Sequence, residues 1–318
     1  MMKVALIYGG EGCERAVSEN GFGFIFPILK REFDTLAVYI DKDGRWLTGG
    51  GRVYPTEGGL YCPDSGDLHP VDCAFPLLHG KLGEDGVIQG ALRTARIPYI
   101  GCDGPTGAVC RDKAIVKAVA ERLSIPTLPF ITLGRGEDIP SLDYPLFLKP
   151  TCLGSSLGAS AVMDESQLPS AIKSAFAVCD RVIIEPCLTD KRELECGYFA
   201  TKGKEIFTNV GEILTEGFYD YDKKYGEAGV RALPNAKVDQ KTNDRIKEYS
   251  RTLVKALGVR QISRIDFFLS GEEIYFNEIN TMPGFTQESL YHKMLSAEGI
   301  TLPDLLSRLV LDAYDRGI

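Results

Sequence analysis

The sequence lacks the clusters of basic residues that general nucleic-acid binders carry. Its 318 residues include 36 Lys and Arg against 44 Asp and Glu, which gives a net charge of −8. Binding to a nucleic-acid backbone needs concentrated positive charge. We therefore expect no nucleic-acid partner, and an anionic substrate would have to be held by a few local cations and backbone N–H groups.

Long apolar runs are also missing. Nowhere do eighteen apolar residues follow one another, and MMKVALIYGG at the start has neither a charged leader nor a small-residue cleavage site. A membrane span needs about 20 apolar residues, and a secretory leader has both of those features. We expect no membrane insertion and no export.

Cysteine pairs and histidine-rich metal motifs are absent as well. Nine cysteines stand at wide intervals without a C-x-x-C pair, and the chain has three histidines. An odd number of scattered cysteines is typical of free thiols rather than of a disulfide framework or a zinc site. This pattern predicts a protein of the reducing cytoplasm.

The stretch that carries most of the chemistry is 262–289, ISRIDFFLSGEEIYFNEINTMPGFTQES. Two runs of alternating polar and apolar residues, 264–269 and 274–280, flank a turn at 270–273, and this pattern predicts a β-hairpin. Residues two apart on a strand point to the same face. The polar residues that share a face are Glu278 and Asn280 on one strand, and Arg264 and Asp266 on the other.

Pairing of the two strands would bring Asp266, Glu278 and Asn280 together as oxygen ligands. Hard oxygen donors in that number suit Mg²⁺, which takes one or two carboxylates and completes its shell with phosphate oxygens and water. The hairpin therefore predicts a metal site that serves a nucleotide. The alternative is a surface hairpin with solvated charges, but charges among bulky apolar residues are costly to leave unpaired. In the next turn, the N–H of Gly284 could steady a developing oxyanion.

The N-terminal third begins as a βα unit. An apolar strand at 4–8 is followed by a glycine loop at 9–12 and by apolar residues at helical intervals from Glu14 onward. Ligands gather at the carboxyl ends of the strands in such units. Other predicted elements are strands at 36–40, 73–78 and 98–101, a loop at 79–86 and a helix at 87–97, and the domain is expected to close near Asp103.

A phosphate-binding loop is predicted at 151–158, after a strand that ends on Lys149. The loop contains Ser155 and Ser156 among glycines, and clustered N–H groups and hydroxyls are what a polyphosphate needs. It is not a Walker loop, because no G-K-[ST] follows a four-residue gap.

The rest of the chain alternates between helices and short strands. Segment 211–235 is rich in Gly, Asp, Tyr and Lys, and we expect a long loop of the kind that forms a lid. The remaining predicted elements are helices at 105–123, 165–179 (with Asp164 as N-cap), 239–257 and 302–314, and strands at 144–150, 160–162 and 182–188.

Taken together, eight segments resemble the D-alanine–D-alanine ligases of the ATP-grasp superfamily over essentially the full length. They occur in the family's order, which makes a chance match improbable. The segments are GGEGCERAVS (9–18), HGKLGEDGVIQG (79–90), RDK (111–113), PLFLKPTCLGSSLG (145–158), RELECG (192–197), FYDYDKKY (218–225), RIDFF (264–268) and NEINTMPGFT (277–286).

The resemblance implies an α/β fold with α+β character, in which a doubly wound parallel-sheet domain precedes two β-rich layers that clamp ATP. The implied domains are 1–103, 104–188 and 189–318. The implied reaction joins two D-alanines through an acyl phosphate, with ATP and two Mg²⁺ ions that Mn²⁺ could replace. The resemblance further implies that the protein is a cytoplasmic homodimer and that its product is a peptidoglycan precursor.

The resemblance also implies roles for individual residues. ATP would be bound by Lys113, Lys149, Ser155, Ser156, Glu185 (at the adenine amino group), Leu188, Glu193 (at the ribose) and Lys224. The metal ligands would be Asp266, Glu278 and Asn280. The catalytic group would be Glu14, Ser155, Tyr225, Arg264 and Gly284, and the substrates would be bound by Glu14, His79, Ser289 and Leu290.

Several of these residues have a plainer alternative. Glu14 could compensate a helix dipole, which is worth roughly 0.3–1 kcal/mol. His79 beside glycines could be structural, and Lys149 could cap an exposed strand. Ser155 and Ser156 could serve turn chemistry alone. Edge-strand or solvated-loop roles remain open for Glu185, Lys224 and Tyr225.

Two questions of function stay open at this stage. The sequence departs from the family's common pattern at Cys152, Leu153, Glu288 and His292, which concerns the second-substrate pocket and the lid contacts. Relatives in this family join D-Ala to D-Ser or D-lactate, so D-Ser and, less readily, D-lactate are the alternative second substrates. Tyr225 favours an amine acceptor and the apolar Leu290 suits a methyl group, which together favour D-Ala. A binding protein without turnover would predict a broken metal set, and the set is intact in the sequence.

Overall fold

The structure is a computed structural model that describes residues 1–154, 157–214 and 231–318. The strands in these ranges are β1 (Lys3–Gly9), β2 (Asp34–Ile40), β3 (Trp46–Thr48), β4 (Gly51–Arg52), β5 (Tyr54–Thr56), β6 (Gly59–Cys62), β7 (Asp67–Pro70), β8 (Cys73–Pro76), β9 (Ile131–Gly134), β10 (Leu146–Pro150), β11 (Ser160–Val162), β12 (Arg181–Pro186), β13 (Arg192–Thr201), β14 (Lys204–Phe207), β15 (Gly211–Leu214), β16 (Arg231–Leu233), β17 (Ile262–Ser270) and β18 (Glu273–Asn280). The α-helices are α1 (Arg15–Leu29), α2 (Val87–Thr94), α3 (Gly104–Arg111), α4 (Lys113–Arg122), α5 (Leu168–Phe176), α6 (Gln240–Leu257), α7 (Leu290–Ala297) and α8 (Leu302–Arg316).

The N-terminal sheet carries helices on both faces. Its strand order is β4-β3-β2-β1-β8, and β2 and β8 run parallel to β1. Successive residues of a strand point to opposite faces. Leu6 accordingly packs in the core that includes residues of α1 and α8, whereas Ile7 packs in the core that includes residues of α2. This arrangement confirms the predicted doubly wound domain.

The second layer is an antiparallel sheet in the order β11-β10-β12-β9. Helix α5 covers it, and its own core includes Leu148, Val162, Ala175 and Val182. Asp164 accepts a hydrogen bond from the backbone N–H of Ser166 and caps a short 3₁₀ turn before α5, as predicted. The segment predicted to bind phosphate begins directly after β10.

The third layer is a larger antiparallel sheet in the order β16-β15-β13-β17-β18, with β14 beside β13. The predicted hairpin is confirmed as β17 and β18, in which Arg264 lies opposite Asn280 and Asp266 lies opposite Glu278. Residues of α4 and α6 share a core with this sheet. The hairpin is therefore packed against a hydrophobic core that it shares with α4 and α6.

One predicted helix is in fact two. The prediction of a continuous helix at 105–123 is wrong, because Asp112 has an extended backbone (φ −85°, ψ 106°) and separates α3 from α4. Its carboxylate accepts hydrogen bonds from the N–H groups of Ala114 and Ile115 at 2.9 and 3.2 Å. A capping aspartate competes well for the free N–H groups of a new helix, so the break places Lys113 at a helix start.

Two further predictions need correction. Residues 98–101 form no strand of their own, since Tyr99 makes a single bridge to Ala74. The predicted loop at 211–235 is bounded by two paired strands, β15 and β16, in which Ile213 lies opposite Ala232. The centre of that segment lies outside the described residues. No helix in the described ranges is both long and apolar enough to cross a membrane.

Candidate active site

A cavity of about 820 Å³ lies where the N-terminal domain meets the two antiparallel layers. Most of the predicted site residues that the structure describes line it: Glu14, His79, Lys113, Lys149, Glu193, Arg264, Asp266, Glu278, Asn280, Gly284, Ser289 and Leu290. Two predicted ATP-binding residues, Glu185 and Leu188, are not among the lining residues. Ser155, Ser156, Lys224 and Tyr225 lie outside the described residues.

The hairpin presents the predicted metal ligands on one side of this cavity. Asp266 accepts two hydrogen bonds from Arg264, at 2.8 Å to Oδ1 and 2.6 Å to Oδ2. Asn280 donates from Nδ2 to the same carboxylate at 3.1 Å, and Glu278 Oε2 lies 2.9 Å from Lys113 Nζ. The carboxylates therefore hold cationic partners in place at the edge of the cavity.

These three side chains suit a hard divalent cation. In the described part of the chain, no group of three or more His, Cys, Asp or Glu residues could hold a metal alone. Two carboxylates and one amide oxygen would leave positions for phosphate oxygens and water, which is how Mg²⁺ is usually bound beside a nucleotide. The donor set fits Mg²⁺ that arrives with a polyphosphate.

Arg264 is fixed between two carboxylates. Its Nε lies 3.2 Å from Glu195 Oε1, and its Nη2 contacts Asp266. Burial would lower the pKa of the guanidinium, but Asp266 and Glu195 outweigh that effect and raise this pKa well above its usual value. A permanent, immobile cation thus lies beside the metal-ligand set, where it can stabilise developing negative charge.

Two lysines approach the cavity from the second layer and from α4. Lys113 Nζ donates to the Leu153 carbonyl at 2.7 Å as well as pairing with Glu278. Lys149 Nζ donates to Asn277 Oδ1 at 2.8 Å and lies 2.8 Å from Glu185 Oε2. Both ammonium groups are largely buried, so a phosphate would meet positive charge that is already oriented.

Glu185 is buried and pairs with two lysines. Its Oε2 pairs with Lys149, and its Oε1 pairs with Lys117, which is fully buried on α4. Burial would raise the pKa of the Glu185 carboxyl, but Lys149 and Lys117 reverse this and keep it below the usual value. The sequence prediction places this side chain at the adenine amino group, and in the structure it pairs with Lys149 and Lys117 and is not among the lining residues.

The N-terminal domain contributes a second polar cluster. Glu14 lies so near two glycines that a Cβ on Gly154 would stand 2.7 Å from Glu14 Oε1, and one on Gly80 would be closer still. His79 is partly buried and lines the cavity, and its buried Nε2 has no hydrogen-bond partner among the described residues. Burial lowers the pKa of His79, with Glu14 opposing. An unpartnered ring nitrogen beside a carboxylate points to a polar ligand.

Glu84 also lines the cavity and supports this cluster. Its Oε2 accepts a hydrogen bond from the N–H of Gly80 at 2.8 Å and lies 3.4 Å from Arg111 Nη1. Burial, with a smaller contribution from Glu14, raises the pKa of Glu84 to about 7. The side chain holds the loop that carries His79.

The far end of the cavity is formed by the turn before α7. Ser289 Oγ accepts from the N–H of Thr286 at 2.9 Å, and a Cβ on Gly284 would lie 2.8 Å from that oxygen. Ser289 directly precedes the N-terminus of α7, which favours an anionic group such as a carboxylate. Leu290 is buried next to it and offers an apolar wall.

Sequence reasoning missed four charged residues of this region. They are Glu84, Lys117, Lys191 and Glu195. Lys191 lies 2.9 Å from Glu193 Oε1 and 4.0 Å from the centre of the Phe268 ring. A usable signal existed for Lys117, because it stands four residues after Lys113 and therefore on the same side of a helix.

The fold and the cavity define an ATP-grasp ligase, with a parallel-sheet domain followed by two antiparallel layers that present lysines and carboxylates to one site. Two family models match the chain, "D-ala D-ala ligase N-terminus" over residues 3–102 and "D-ala D-ala ligase C-terminus" over residues 120–311. The chain therefore belongs to the D-alanine–D-alanine ligase family, whose members are ATP-dependent ligases that act on small molecules.

Individual relatives agree with this assignment. The chain is 34% identical over 351 residues to D-alanine–D-alanine ligase A of Escherichia coli (strain K12), which covers 99% of the chain and 96% of the relative. D-alanyl-alanine synthetase A of Vibrio cholerae has a TM-score of 0.88 at 29% identity, over 99% of this chain and 98% of that one. The VanG D-Ala:D-Ser ligase of Enterococcus faecalis has a TM-score of 0.85 at 30% identity, over 98% and 99%.

Proposed function

We propose that the protein joins two D-alanines to D-alanyl-D-alanine with ATP, for a peptidoglycan precursor. The observation that carries this proposal is the sharing of one cavity by two sets of groups. Lys113, Lys149 and the hairpin carboxylates suit a nucleotide, while Glu14, His79 and Ser289 suit amino-acid substrates. A cavity of about 820 Å³ has room for both kinds of ligand.

In the first step, a carboxylate oxygen of one D-alanine attacks the γ-phosphorus of ATP, and ADP leaves. A carboxylate is a poor electrophile, so conversion to an acyl phosphate is needed before an amine can attack. Lys113 and Lys149 hold the phosphates, and Glu14 pairs with the ammonium group of this first substrate. Bound Mg²⁺ would supply charge neutralisation between the phosphate oxygens, and Asp266, Glu278 and Asn280 are the residues that would hold it.

In the second step, the amine of the other D-alanine attacks the acyl carbon. A proton leaves the nitrogen, the tetrahedral intermediate carries a negative oxygen, and its collapse expels phosphate. Arg264 and the N–H of Gly284 stabilise that oxygen. Ser289 binds the carboxylate of the second substrate, and Leu290 contacts its methyl group.

Further roles follow from the family resemblance. Glu193 binds the ribose, and the backbone of Leu188 contacts the adenine ring. Ser155, Ser156, Lys224 and Tyr225 cover the phosphates and substrates. We also propose two Mg²⁺ ions, replaceable by Mn²⁺, and a cytoplasmic homodimer. The free state of all nine cysteines supports a reducing compartment, and sedimentation would test the dimer.

D-serine remains the competing second substrate, because the similar VanG protein is named as a D-Ala:D-Ser ligase. An apolar pocket distinguishes an added hydroxyl only weakly, so the acceptor must be measured. The test compares phosphate release with ATP and Mg²⁺ in the presence of D-Ala alone, D-Ala with D-Ser, and D-Ala with D-lactate, and identifies products by mass. Our proposal expects D-Ala-D-Ala to dominate, and a mixed product formed in preference to it would overturn the choice of acceptor.

A further inference from the structure

Two half-buried thiols lie beside each other next to the cavity. Cys152 Sγ and Cys179 Sγ are 3.1 Å apart. Cys152 follows β10 at the start of the phosphate-loop segment, and Cys179 follows the end of α5. Apart from the exposed Cys13, the other cysteines are all buried. This pair thus combines proximity with access to solvent.

The backbone on both sides of the pair is anchored. Thr151 accepts a hydrogen bond from the N–H of Lys113 at 2.8 Å and donates to the Arg181 carbonyl at 3.1 Å. The N–H of Cys179 donates to the Ala175 carbonyl at 3.1 Å. A disulfide needs a sulfur–sulfur distance of about 2.05 Å, so an approach of about 1 Å, within reach of small side-chain rotations, would bond the two sulfurs.

The two thiols differ in character. Burial raises the pKa of Cys179, but hydrogen bonds from the backbone N–H of Arg181 and from the Cys152 thiol reverse this and lower it. Burial and the neighbouring Cys179 raise the pKa of Cys152 to about 11. The thiolate is the nucleophilic form of cysteine. Cys179 is therefore the thiol that reacts first.

We propose that Cys152 and Cys179 form an oxidisable pair that hydrogen peroxide converts to a disulfide. The Cys179 thiolate attacks one peroxide oxygen, and the O–O bond breaks. Hydroxide is the leaving group, and Cys179 becomes a sulfenic acid. Cys152 sulfur then attacks that sulfur, the S–O bond breaks, and hydroxide leaves with the Cys152 proton as water. The two thiols lose two electrons, and one peroxide becomes two water molecules.

Disulfide formation would act on the nucleotide side of the cavity. Leu153 and Gly154 line the cavity directly after Cys152, and the Leu153 carbonyl holds Lys113. A covalent link to the end of α5 would restrain this segment and raise the KM for ATP severalfold. This consequence rests on the proposed function, whereas disulfide formation does not.

The test treats the folded protein with one equivalent of hydrogen peroxide, blocks remaining thiols with N-ethylmaleimide, and maps tryptic peptides by mass. Trypsin separates the two cysteines, because cleavage after Arg135, Lys173 and Arg181 gives peptides 136–173 and 174–181 with one cysteine each. We expect these two peptides joined, lighter by two hydrogen atoms than their reduced sum, and released by dithiothreitol. Circular dichroism melting curves verify that every variant is folded.

Three variants make the result decisive. Cys152→Ser and Cys179→Ser should each abolish the joined peptide, and Cys13→Ser, which removes the exposed thiol, should leave it intact. Oxidation of Cys13 while Cys152 and Cys179 are both alkylated would overturn the proposal. A joined peptide with an unchanged KM for ATP would overturn only the predicted effect on the cavity, and absence of ligation by the reduced protein would overturn the proposed function instead.

Discussion

Lys117 and Glu185 form an ion pair that solvent hardly reaches, with 0% and 2% of their side chains exposed. The same carboxylate also pairs with Lys149, whose ammonium group lies at the cavity. Burial lowers the pKa of Lys117 to about 8, with Glu185 opposing, so the lysine is still mainly charged at neutral pH. The buried pair thus holds Lys149 in position without touching the cavity itself.

Replacement of Lys117 should affect both stability and nucleotide binding. Lys117→Met leaves Glu185 with Lys149 as its cationic partner, and breaking a buried pair costs about 3 kcal/mol or more. Lys149 should then be drawn away from the cavity, which raises the KM for ATP. Urea denaturation and steady-state kinetics measure both effects. Lys173→Met, at an exposed lysine of α5, should change stability by less than about 0.5 kcal/mol; a Lys117→Met protein with wild-type stability and KM would contradict this role.

Glu278→Gln should lose turnover while it keeps the fold. The substitution removes a charge that the proposed metal site needs, and metal chemistry is worth several kcal/mol, or on the order of 100-fold in kcat. The glutamine keeps an oxygen that can accept a hydrogen bond from Lys113, and the Leu153 carbonyl still holds this lysine, so stability should fall much less than turnover. The control is Glu272→Gln in the exposed turn of the same hairpin, which should be fully active. Equal activity of the two variants would remove Glu278 from the site.

Stability should depend on pH through Glu84. The pKa of its carboxyl group is raised from the ordinary value of 4.5, which we expect in the unfolded chain, to about 7 in the folded protein, chiefly by burial. Between these values the folded protein binds a proton that the unfolded chain has lost. Stability is therefore highest below about pH 4.5 on this account and falls as the pH rises through about 7.

The magnitude of this effect is measurable. A shift of this size corresponds to about 3 kcal/mol, and urea denaturation at about pH 5.5 and pH 8 would detect most of it. Glu84→Gln keeps the acceptor for the Gly80 N–H and should flatten the pH dependence. Glu57→Gln, at an exposed carboxylate, should not. A Glu84→Gln slope that matches the wild type would refute the assignment.

Gly154→Ala should weaken binding of the first substrate without unfolding the protein. The added Cβ would stand 2.7 Å from Glu14 Oε1, so the carboxylate has to move. Movement of Glu14 away from the substrate ammonium should raise the KM for D-Ala severalfold. The control is Gly90→Ala on α2, where nothing lies within 4 Å of the new Cβ and where alanine favours the helix. An unchanged KM in Gly154→Ala would separate Glu14 from substrate binding.

The sequence predicted those parts of the site that depend on local patterns. The alternation in β17 and β18 and the turn between them were enough to predict the hairpin. They did not predict the bulge that brings Asp266 opposite Glu278, since the register at the turn would by itself place Asp266 opposite Asn277. The doubly wound start was predictable from one strand, a glycine loop and a helical repeat. In these cases the type of element follows from neighbours within a few residues.

The features that were missed depend on packing between distant segments. Lys117 and Glu185 are 68 residues apart in the chain, and their contact depends on the tertiary structure. Asp112 had the ordinary appearance of a helix residue, since its capping role depends on a backbone turn that no spacing shows. The short strands β15 and β16 carry no alternation long enough to distinguish them from a loop.

The most direct measurement follows oxygen from substrate to product. The protein would be supplied with ATP, Mg²⁺ and D-alanine labelled with ¹⁸O in its carboxylate, and the phosphate and dipeptide would be analysed by mass. Activation through an acyl phosphate predicts that each released phosphate carries one labelled oxygen. It also predicts that one molecule of D-Ala-D-Ala forms for each phosphate released. Dipeptide that forms beside unlabelled phosphate, or phosphate released without dipeptide, would contradict the account.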